Sequence, residues 1–433
     1  MRSFFLSMNY IKTAWRNLAR NKVYSIINIA GLSIGLACCM LIILFNNDEI
    51  SFDRFHTNAK NIYRIVHDDR GPNGELQGTN GITGLMPGPV FKKDIPEISD
   101  YVRLYSEVRP VKIGTEIFEQ EVQFVDDNFF SVFTFPLVHG SQKDVLKDKY
   151  SVVLSERVAK KFFGTSNVVG KTIELPKRQD HDAQGPQEFE TFVVTGITPE
   201  SPQNSSIKID MLLPMTSNEG GDEDDGKWLN FFLNTFVVLH PDADIFRVEA
   251  KMKESYKVSA GEQLRKAKEK YNFNTTWDYK LQPLLGMHLS KDYPPDNGLK
   301  DASKPVFTRI LAGIALFMLI IACINFVNLT VARSLKRAKE IGLRKVFGAS
   351  VINILELVSY DFIKLVIIGF LIATPVAWLI TNKWLEDFAY KIDITWGIFL
   401  LAGLTAVIIA LLTVSFQAIK AAIANPVKSL RTE

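Results

Sequence analysis

Two segments of this sequence have residue types that could bind phosphate or calcium, but neither has the required spacing. Residues 164–172, GTSNVVGKT, approach the phosphate-binding pattern G-x-x-x-x-G-K-[ST], in which backbone N–H groups curl around the phosphates. Five residues separate Gly164 from Gly170, one too many, so we predict a turn that leads into the strand KTIEL. The acidic run 220–227, GGDEDDGK, lacks the glycine and glutamate positions of an EF-hand loop. We interpret it as a solvated loop and leave weak cation binding open.

The remaining polar residues do not form a recognisable catalytic or metal-binding set. The six histidines include no H-E-x-x-H pair and no cluster with cysteine: His56, His67, His139, His181, His240 and His288. No G-x-S-x-G element is present, and no Ser/His/Asp set can be assembled from spacing. We therefore predict no catalytic residue, no metal site, no cofactor and no enzymatic activity.

Four apolar runs dominate the rest of the chain. A membrane-spanning helix needs about 20 mostly apolar residues, and such runs occupy 23–45, 310–329, about 365–380 and 398–415. The first is too long for a signal-peptide core and has no cleavage site after it, which favours an uncleaved anchor. We predict an α-helical membrane protein with four transmembrane helices and a large α+β extracytoplasmic domain inserted between helices 1 and 2.

The distribution of charge predicts the orientation. Residues 1–22 carry five basic side chains and no acidic one, and the loop 332–353 carries six against Glu340 alone. Residues 46–306 carry 32 basic and 40 acidic side chains. Because basic residues accumulate on the cytoplasmic side, we predict that both termini and the middle loop are cytoplasmic and that the long region lies outside.

These patterns assign a boundary to every segment. The assigned segments are a cytoplasmic amphipathic basic helix 1–22, helix 1 at 23–45, the extracytoplasmic domain 46–306, helix 2 at 307–332, a cytoplasmic segment 333–353, helix 3 at 354–381, a short outer loop 382–395, helix 4 at 396–416 and a cytoplasmic tail 417–433. Segment 1–22 could equally be a simple positive flank that orients the first span.

The extracytoplasmic region alternates between strand-like and helical patterns. Strand-like alternation occupies 61–68, 101–113, 119–126, 189–197 and 234–240, and helical spacing occupies 86–93, 155–163 and 242–270. We expect two subdomains, with the two ends of the domain close together because both return to the membrane. All three cysteines lie in the apolar runs, so the domain must depend on its own core: Cys38, Cys39 and Cys323.

Small residues recur at four-residue spacing in the apolar runs. Such spacing lets two helices approach closely, which favours a packed bundle over isolated anchors. The predicted helix-packing residues are Gly31, Gly35, Gly369, Ala373 and Ala377, and a similar series follows at Ala402, Ala406 and Ala410.

The basic segment Arg333–Ser350, RSLKRAKEIGLRKVFGAS, has the pattern of a short helix with a defined face. Ile341, Arg344 and Lys345 share that face by i, i+3 and i+4 spacing, and Gly348 is placed to end the helix. From the residues alone, a protein-docking surface and a basic loop that merely stops membrane transfer remain equally open.

Several segments resemble the MacB/FtsX-like permease family of ABC transporters, which combines a MacB-like periplasmic core domain with an FtsX-like permease domain. They are RAKEIGLRKVFGAS (337–350), WRNLARNKVYSIINIAGLSIG (15–35), VDDNFFSVFTFPLVHG (125–140), VVLSERVAKKFFG (152–164), VVGKTIEL (168–175), FVVTGITPESPQNSSIKIDMLLP (192–214) and IANPVKSLR (423–431). The resemblance implies a multi-pass protein of the bacterial inner (cytoplasmic) membrane.

The resemblance also implies partners. Family members form dimers with cytoplasmic ABC ATPase subunits, which bind the ATP, and a coupling helix after the second span rests on the ATPase. The residues that fall on it are Arg337, Glu340, Ile341, Gly342, Arg344, Lys345 and Gly348. This chain has one four-helix unit and no fused ATPase, so a homodimer, or a heterodimer with a related permease, is implied. A periplasmic adaptor and the lipid bilayer are further expected partners, and nucleic acid is not.

Two functions follow from this resemblance. The first is a membrane permease subunit of an ABC-type export or mechanotransmission system, coupling ATP hydrolysis by a separate ATPase to movement of the extracytoplasmic domain. The alternative is an FtsX-like signalling or regulatory protein that controls an outer-side partner without transporting substrate. A membrane-anchored outer enzyme ranks last, because the sequence contains no catalytic constellation.

Overall fold

The protein consists of two compact units. The computed structural model describes residues 22–177, 187–217, 228–272, 274–321, 324, 367–380, 382–383, 397, 400, 403–404 and 407–408. One unit, here called the helical unit, comprises Met1–Asp48 with Val306–Glu433, and the other, the core unit, comprises Glu49–Pro305. The predicted basic helix at 1–22, apart from its last residue, the cytoplasmic segment 333–353 and the tail 417–433 lie outside the described residues.

The core unit is built on one ten-stranded sheet. Its strands are β1 Ile62–Arg70, β2 Leu76–Asn80, β3 Ile98–Ile113, β4 Glu116–Val125, β5 Ser151–Ser155, β6 Thr172–Pro176, β7 Phe189–Thr198, β8 Met211–Pro214, β9 Asn234–Leu239 and β10 Thr276–Pro283. All five segments with strand-like alternation are confirmed as strands, and so is the strand expected after Gly170. The structure adds β2, β5, β8 and β10, which the sequence analysis did not identify.

The helical patterns are also confirmed. The helix Lys22–Ile50, here called α1, comes first in the chain. The helices that follow it in the core unit are α2 Pro87–Asp94, α3 Phe129–Val132, α4 Glu156–Phe163, α5 Ile245–Tyr271 and α6 Leu284–Met287. Ser155 caps α4 by accepting a hydrogen bond from the N–H of Val158, and Gly164 ends the helix in a left-handed conformation. Gly164 and Gly170, with φ of 73° and 85°, flank the turn into β6, as the spacing predicted.

The strand order places a curled half of the sheet beside a more open half. The order is β10-β1-β9-β3-β4-β8-β5-β7-β6, with β2 paired to β1. Strand β6 returns to β3 at Lys112 and Glu174, so the second half nearly closes on itself. Its interior is an apolar cluster that includes Tyr105, Phe124, Val152, Leu154, Val194 and Met211.

The long helix α5 covers the open half. Asp244 caps its first turn by accepting hydrogen bonds from the N–H groups of Phe246 and Arg247. A second apolar cluster lies between α5, α2 and the sheet and includes Phe91, Trp228, Met252, Tyr256 and Tyr279. Glu249 of α5 accepts a hydrogen bond from the N–H of Leu281 in the outermost strand β10, which satisfies one donor of an edge strand.

A third cluster occupies the opposite face of the sheet. It includes Phe129, Phe133, Phe135, Ile207, Leu284 and Leu299. Three clusters thus share one continuous sheet within one compact unit. The expected division into two subdomains stays a prediction.

Three helices of the helical unit are described over ten or more residues. The helix α1, Lys22–Ile50, includes the stretch Ile29–Ile50, which is the one described helix long and apolar enough to cross a membrane. Two shorter apolar helices are α7 Pro305–Ile321 and α8 Ile367–Ile380. Helix α1 extends five residues beyond the predicted end at Phe45, because Asn46–Glu49 contain no helix breaker and continue its turns.

Candidate functional site

The polar clusters that could support chemistry do not assemble into a reaction centre in the described part of the chain. No group of three or more His, Cys, Asp or Glu residues is placed there to hold a metal ion. The acidic run 220–227 and His181 lie outside the described residues. The site with the most connected geometry is structural: it is where the two chain connections of the core unit meet.

Asp53 holds the first of these connections. Its φ is 58°, a left-handed conformation that Asp tolerates better than most residues. The Asp53 N–H donates to the Asn204 carbonyl at 2.8 Å. Its buried carboxyl group accepts from the Ser206 N–H at 2.8 Å and the Ser206 hydroxyl at 2.7 Å. Asn204 Nδ2 also donates to Ser51 Oγ at 2.9 Å, so the loop before β8 fixes the entering chain.

Ser206 joins this entry to the exit of the chain. While its N–H and hydroxyl donate to Asp53, its carbonyl accepts a hydrogen bond from the Lys300 N–H at 2.9 Å. One residue therefore contacts both ends of the core unit.

His288 provides a second bridge between entry and exit. Its ring stacks on Phe52 with centroids 3.4 Å apart and planes at 9°, and its Nε2 lies 3.3 Å from Glu49 Oε2. The His288 carbonyl accepts from the Ser303 N–H at 2.9 Å. Burial lowers the pKa of His288, against the opposing effect of the Glu49 carboxylate, so the ring is neutral at pH 7 and Nε2 can donate to Glu49.

These residues define what we call the junction: Glu49, Phe52, Asp53, Ser206 and His288. The expectation that the two ends of the domain lie close together is confirmed, because Glu49 and Ser303 both contact His288. The sequence analysis did not identify the junction residues, and no spacing signal marks them.

Asp53 makes the stability of the junction depend on pH. Burial raises the pKa of Asp53 from 3.8 to about 6, although hydrogen bonds from Ser206 oppose the rise. A raised carboxyl pKa means that the folded state binds the proton more tightly than the unfolded state. The contribution of Asp53 to stability is therefore greatest below about pH 4 and falls as the pH rises through 6, by at most about 3 kcal/mol.

We expect Asp53→Asn to remove this pH dependence. Asparagine has the same shape, tolerates the left-handed conformation and stays neutral. The variant should be more stable than the wild type above about pH 6, and the two should converge near pH 4. The free energies of unfolding of the wild type and the variant are measured at each pH by urea denaturation of the full-length protein in detergent. Proteolysis of the unfolded core unit reports the unfolded fraction. Wild-type and variant curves that stay parallel from about pH 4 to 7 would contradict the assignment.

The predicted coupling residues cannot be placed in the same way. Arg337, Glu340, Ile341, Gly342, Arg344, Lys345 and Gly348 all lie outside the described residues, and their role stays a prediction.

The predicted helix-packing residues are described, and most are buried. Gly369, Ala373 and Ala377 form a buried row along α8, and the Ser33 hydroxyl of α1 donates to the Gly369 carbonyl at 3.2 Å. Gly35 is also buried, whereas Gly31 is partly exposed. The row lies in an apolar cluster shared by α1, α7 and α8: Leu36, Ala37, Cys39, Met40, Ala315, Leu319, Ala373 and Ala377.

Apolar helices precede and follow a large sheet-based domain along the chain, and one of them includes a stretch, Ile29–Ile50, that is long and apolar enough to cross a membrane. A model of the MacB-like periplasmic core domain matches residues 25–255, and a model of the FtsX-like permease C-terminal domain matches residues 312–426. The chain belongs to the MacB/FtsX-like family of ABC transporter permeases.

Solved structures that are similar to this chain include three domains of permeases or transporters. A domain assigned to a permease protein of Porphyromonas gingivalis is 19% identical, covering 59% of this chain and 98% of its own, with a TM-score of 0.43. The periplasmic region of MacB from Actinobacillus actinomycetemcomitans is 17% identical over 52% and 90%, with a TM-score of 0.35. The extracellular domain of the noncanonic ABC-type transporter YknZ from Gram-positive bacteria is 14% identical over 51% and 100%, with a TM-score of 0.31. A comparison with curated proteins gave no significant match.

Proposed function

We propose that the chain is the membrane subunit of an ABC-type export or mechanotransmission system. A separate cytoplasmic ATPase binds and hydrolyses ATP, and the resulting movement reaches the core unit through the helices that flank it. The chain itself carries no enzymatic activity in this proposal and holds no cofactor.

The observation that carries the proposal is the position of the basic segment Arg333–Ser350. It follows the second apolar run and falls inside the stretch 312–426 that matches the FtsX-like permease domain. Its six basic residues against Glu340 favour the cytoplasmic side, where an ATPase would be found. The predicted helix face with Ile341, Arg344 and Lys345 would offer apolar and basic contacts to such a partner.

The finer architecture belongs to the same proposal. Four membrane-spanning helices with both termini in the cytoplasm would place the core unit on the outer side of the bacterial inner membrane. With one four-helix unit per chain, we propose that the protein functions as a homodimer or pairs with a related permease. The junction supports a mechanical role, because it ties both chain connections of the core unit to each other through buried side chains.

We expect the double variant Arg344→Glu and Lys345→Glu to lose capture of the cognate ATPase. Reversing two neighbouring charges on one face turns attraction into repulsion, and we expect at least about a tenfold loss of binding, which corresponds to about 1.4 kcal/mol. The measurement is the amount of ATPase that co-purifies with the full-length membrane protein at matched expression.

The matched control is Lys420→Glu with Lys428→Glu, which reverses two charges in the predicted cytoplasmic tail. Both proteins should reach the membrane in equal amounts. Equal ATPase capture by the coupling variant and the control would refute the docking role. Pull-down through the core unit then separates the two modes of use: an adaptor indicates export, and an outer-side hydrolase indicates regulation.

A further inference from the structure

The segment that leads from the core unit toward α7 crosses the sheet without joining it. Residues 291–300, KDYPPDNGLK, are here called the strap. The strap contains no helix or strand, apart from one isolated antiparallel bridge between Ile207 and Leu299. Its two prolines lack N–H groups and favour an extended conformation. The strap therefore interacts with the sheet mainly by accepting hydrogen bonds.

Side chains of the sheet donate to the strap carbonyls in the order of the strands. Gln282 Nε2 of β10 donates to Tyr293 O at 3.1 Å, and Arg64 NH1 of β1 donates to Pro294 O at 3.1 Å. Thr79 of β2 donates to Asp292 O at the beginning of the strap.

The pattern continues on the next strands. Asn234 Nδ2 of β9 donates to both Asp296 O and Asn297 O at 2.9 Å, and Gln123 Nε2 of β4 donates to Gly298 O at 3.3 Å. The strand registers put these donors on one face, since Arg64 is opposite Gln282 and Phe236, and Leu104 is opposite Asn234.

The strap is held by hydrogen bonds from side chains, whereas a paired strand is held by backbone hydrogen bonds. Several atoms of the same buried donor side chains have no protein partner among the described residues: Arg64 Nε and NH2, Gln123 Oε1, Asn234 Oδ1 and Gln282 Oε1. Opening of the strap would expose these polar atoms to water. No strand–strand hydrogen bond has to break for the strap to leave.

Several contacts hold the strap on the sheet, including the hydrogen bond from the Lys300 N–H to the Ser206 carbonyl at 2.9 Å and the contact of Lys300 Nζ with Glu121. The Tyr293 hydroxyl donates to Asp68, a carboxylate that Lys280 also contacts at 2.6 Å. Leu299 is buried in the apolar cluster at 6% exposure. Gly298, with φ of +95°, packs so closely that a Cβ would lie 3.0 Å from Leu104.

We propose that the strap opens as a unit while the ten strands stay paired, as a releasable connection between the sheet and α7. This opening is a property of the chain itself, so it does not depend on the proposed ATPase. A negative result in the test of strap opening would therefore leave the proposed ATPase docking unaffected, and a negative result in the docking experiment would leave the strap proposal unaffected.

Thiol labelling of buried cysteines tests the opening. Leu299→Cys places a thiol in the strap, and Leu212→Cys places the matched thiol in β8 of the same apolar cluster, where Leu212 is fully buried. In the full-length protein, we expect Cys modification at position 299 to be at least about 100-fold faster than at position 212. The rate at position 299 should not respond to low urea, because a local opening exposes little surface. Peptide mass spectrometry separates these sites from the native cysteines.

A second variant tests the donors. Asn234→Asp keeps the shape but removes both N–H donors to the strap, and it should accelerate labelling at position 299 by about tenfold while leaving position 212 unchanged. In the wild-type chain, hydrogen exchange of the Lys300 amide should likewise exceed that of the β9 amides by about 100-fold. Equal labelling rates with equal urea dependence, or a Lys300 amide as protected as β9, would overturn the proposal.

Discussion

Replacing Phe52 with alanine is expected to lower the free energy of unfolding of the core unit by about 3–5 kcal/mol. Phe52 is buried at 6% exposure, and its ring stacks on His288. Truncation removes the apolar area of the ring and leaves a cavity beside a neutral, buried imidazole. Because Glu49 and Ser303 are held through the same histidine, the loss should loosen both chain connections of the core unit together.

Two further variants make the interpretation specific. Phe246→Ala removes the same side chain from the first turn of α5, where Phe246 is 83% exposed, and should change stability by less than about 0.5 kcal/mol. Phe52→Leu retains most of the apolar volume but loses the ring stacking. Its loss of stability should therefore lie between those of Phe52→Ala and Phe246→Ala. The measurement is urea denaturation of the full-length protein with pulse proteolysis. A loss below about 1 kcal/mol for Phe52→Ala would show that the junction does not contribute to holding the core unit together.

The local elements of the core unit could be predicted where one face of a strand or helix is exposed. In β3, Val102 and Leu104 are buried while Arg103 between them is only partly buried, and this alternation identifies the strand. In contrast, every residue of Ser151–Ser155 and Met211–Pro214 is buried. A strand covered on both faces has no alternation, so its period-2 signal is lost.

The junction could not be predicted from the sequence because its members are distant along the chain. Asp53 and Ser206 are 153 positions apart, and Glu49 and His288 are 239 apart. A hydrogen bond between such residues depends on the complete strand order, including the return of the chain from β10. Only the proximity of the two domain ends was deducible, since both connect to membrane-length runs.

The helix contacts of the helical unit could be predicted from the sequence only in part. Side chains four apart lie on the same side of a helix, and Gly369, Ala373 and Ala377 are buried along α8, but their role in helix packing stays a prediction. The spacing does not predict the partner. The hydrogen bonds from Ser33 to Gly369 and from Cys39 to Ala315, each at 3.2 Å, show that α8 and α7 both contact α1.

The second large effect is expected in this row of small residues. Replacing Ala373 and Ala377 with leucine should destabilise the helical unit by several kcal/mol, since each overpacked site costs about 1–3 kcal/mol. Both alanines are 0% exposed, and their cluster includes Leu36 and Met40 of α1 and Leu319 of α7. Close helix approach is the main source of packing energy between membrane helices, so leucine side chains would force α8 away from its neighbours.

The same helix supplies the matched control. Ile372→Leu with Val376→Leu changes the adjacent positions, which are 45% and 44% exposed, and adds little or no volume to the buried cluster. We expect this protein to retain the wild-type unfolding temperature in detergent, while Ala373→Leu with Ala377→Leu unfolds at a lower temperature and gives less monodisperse protein on size-exclusion chromatography. The junction lies in the core unit. If the two units are energetically independent, Asp53→Asn should change the pH dependence of stability equally in the wild type and in Ala373→Leu with Ala377→Leu. Identical unfolding temperatures for the two double variants would refute a packing role for the small-residue row.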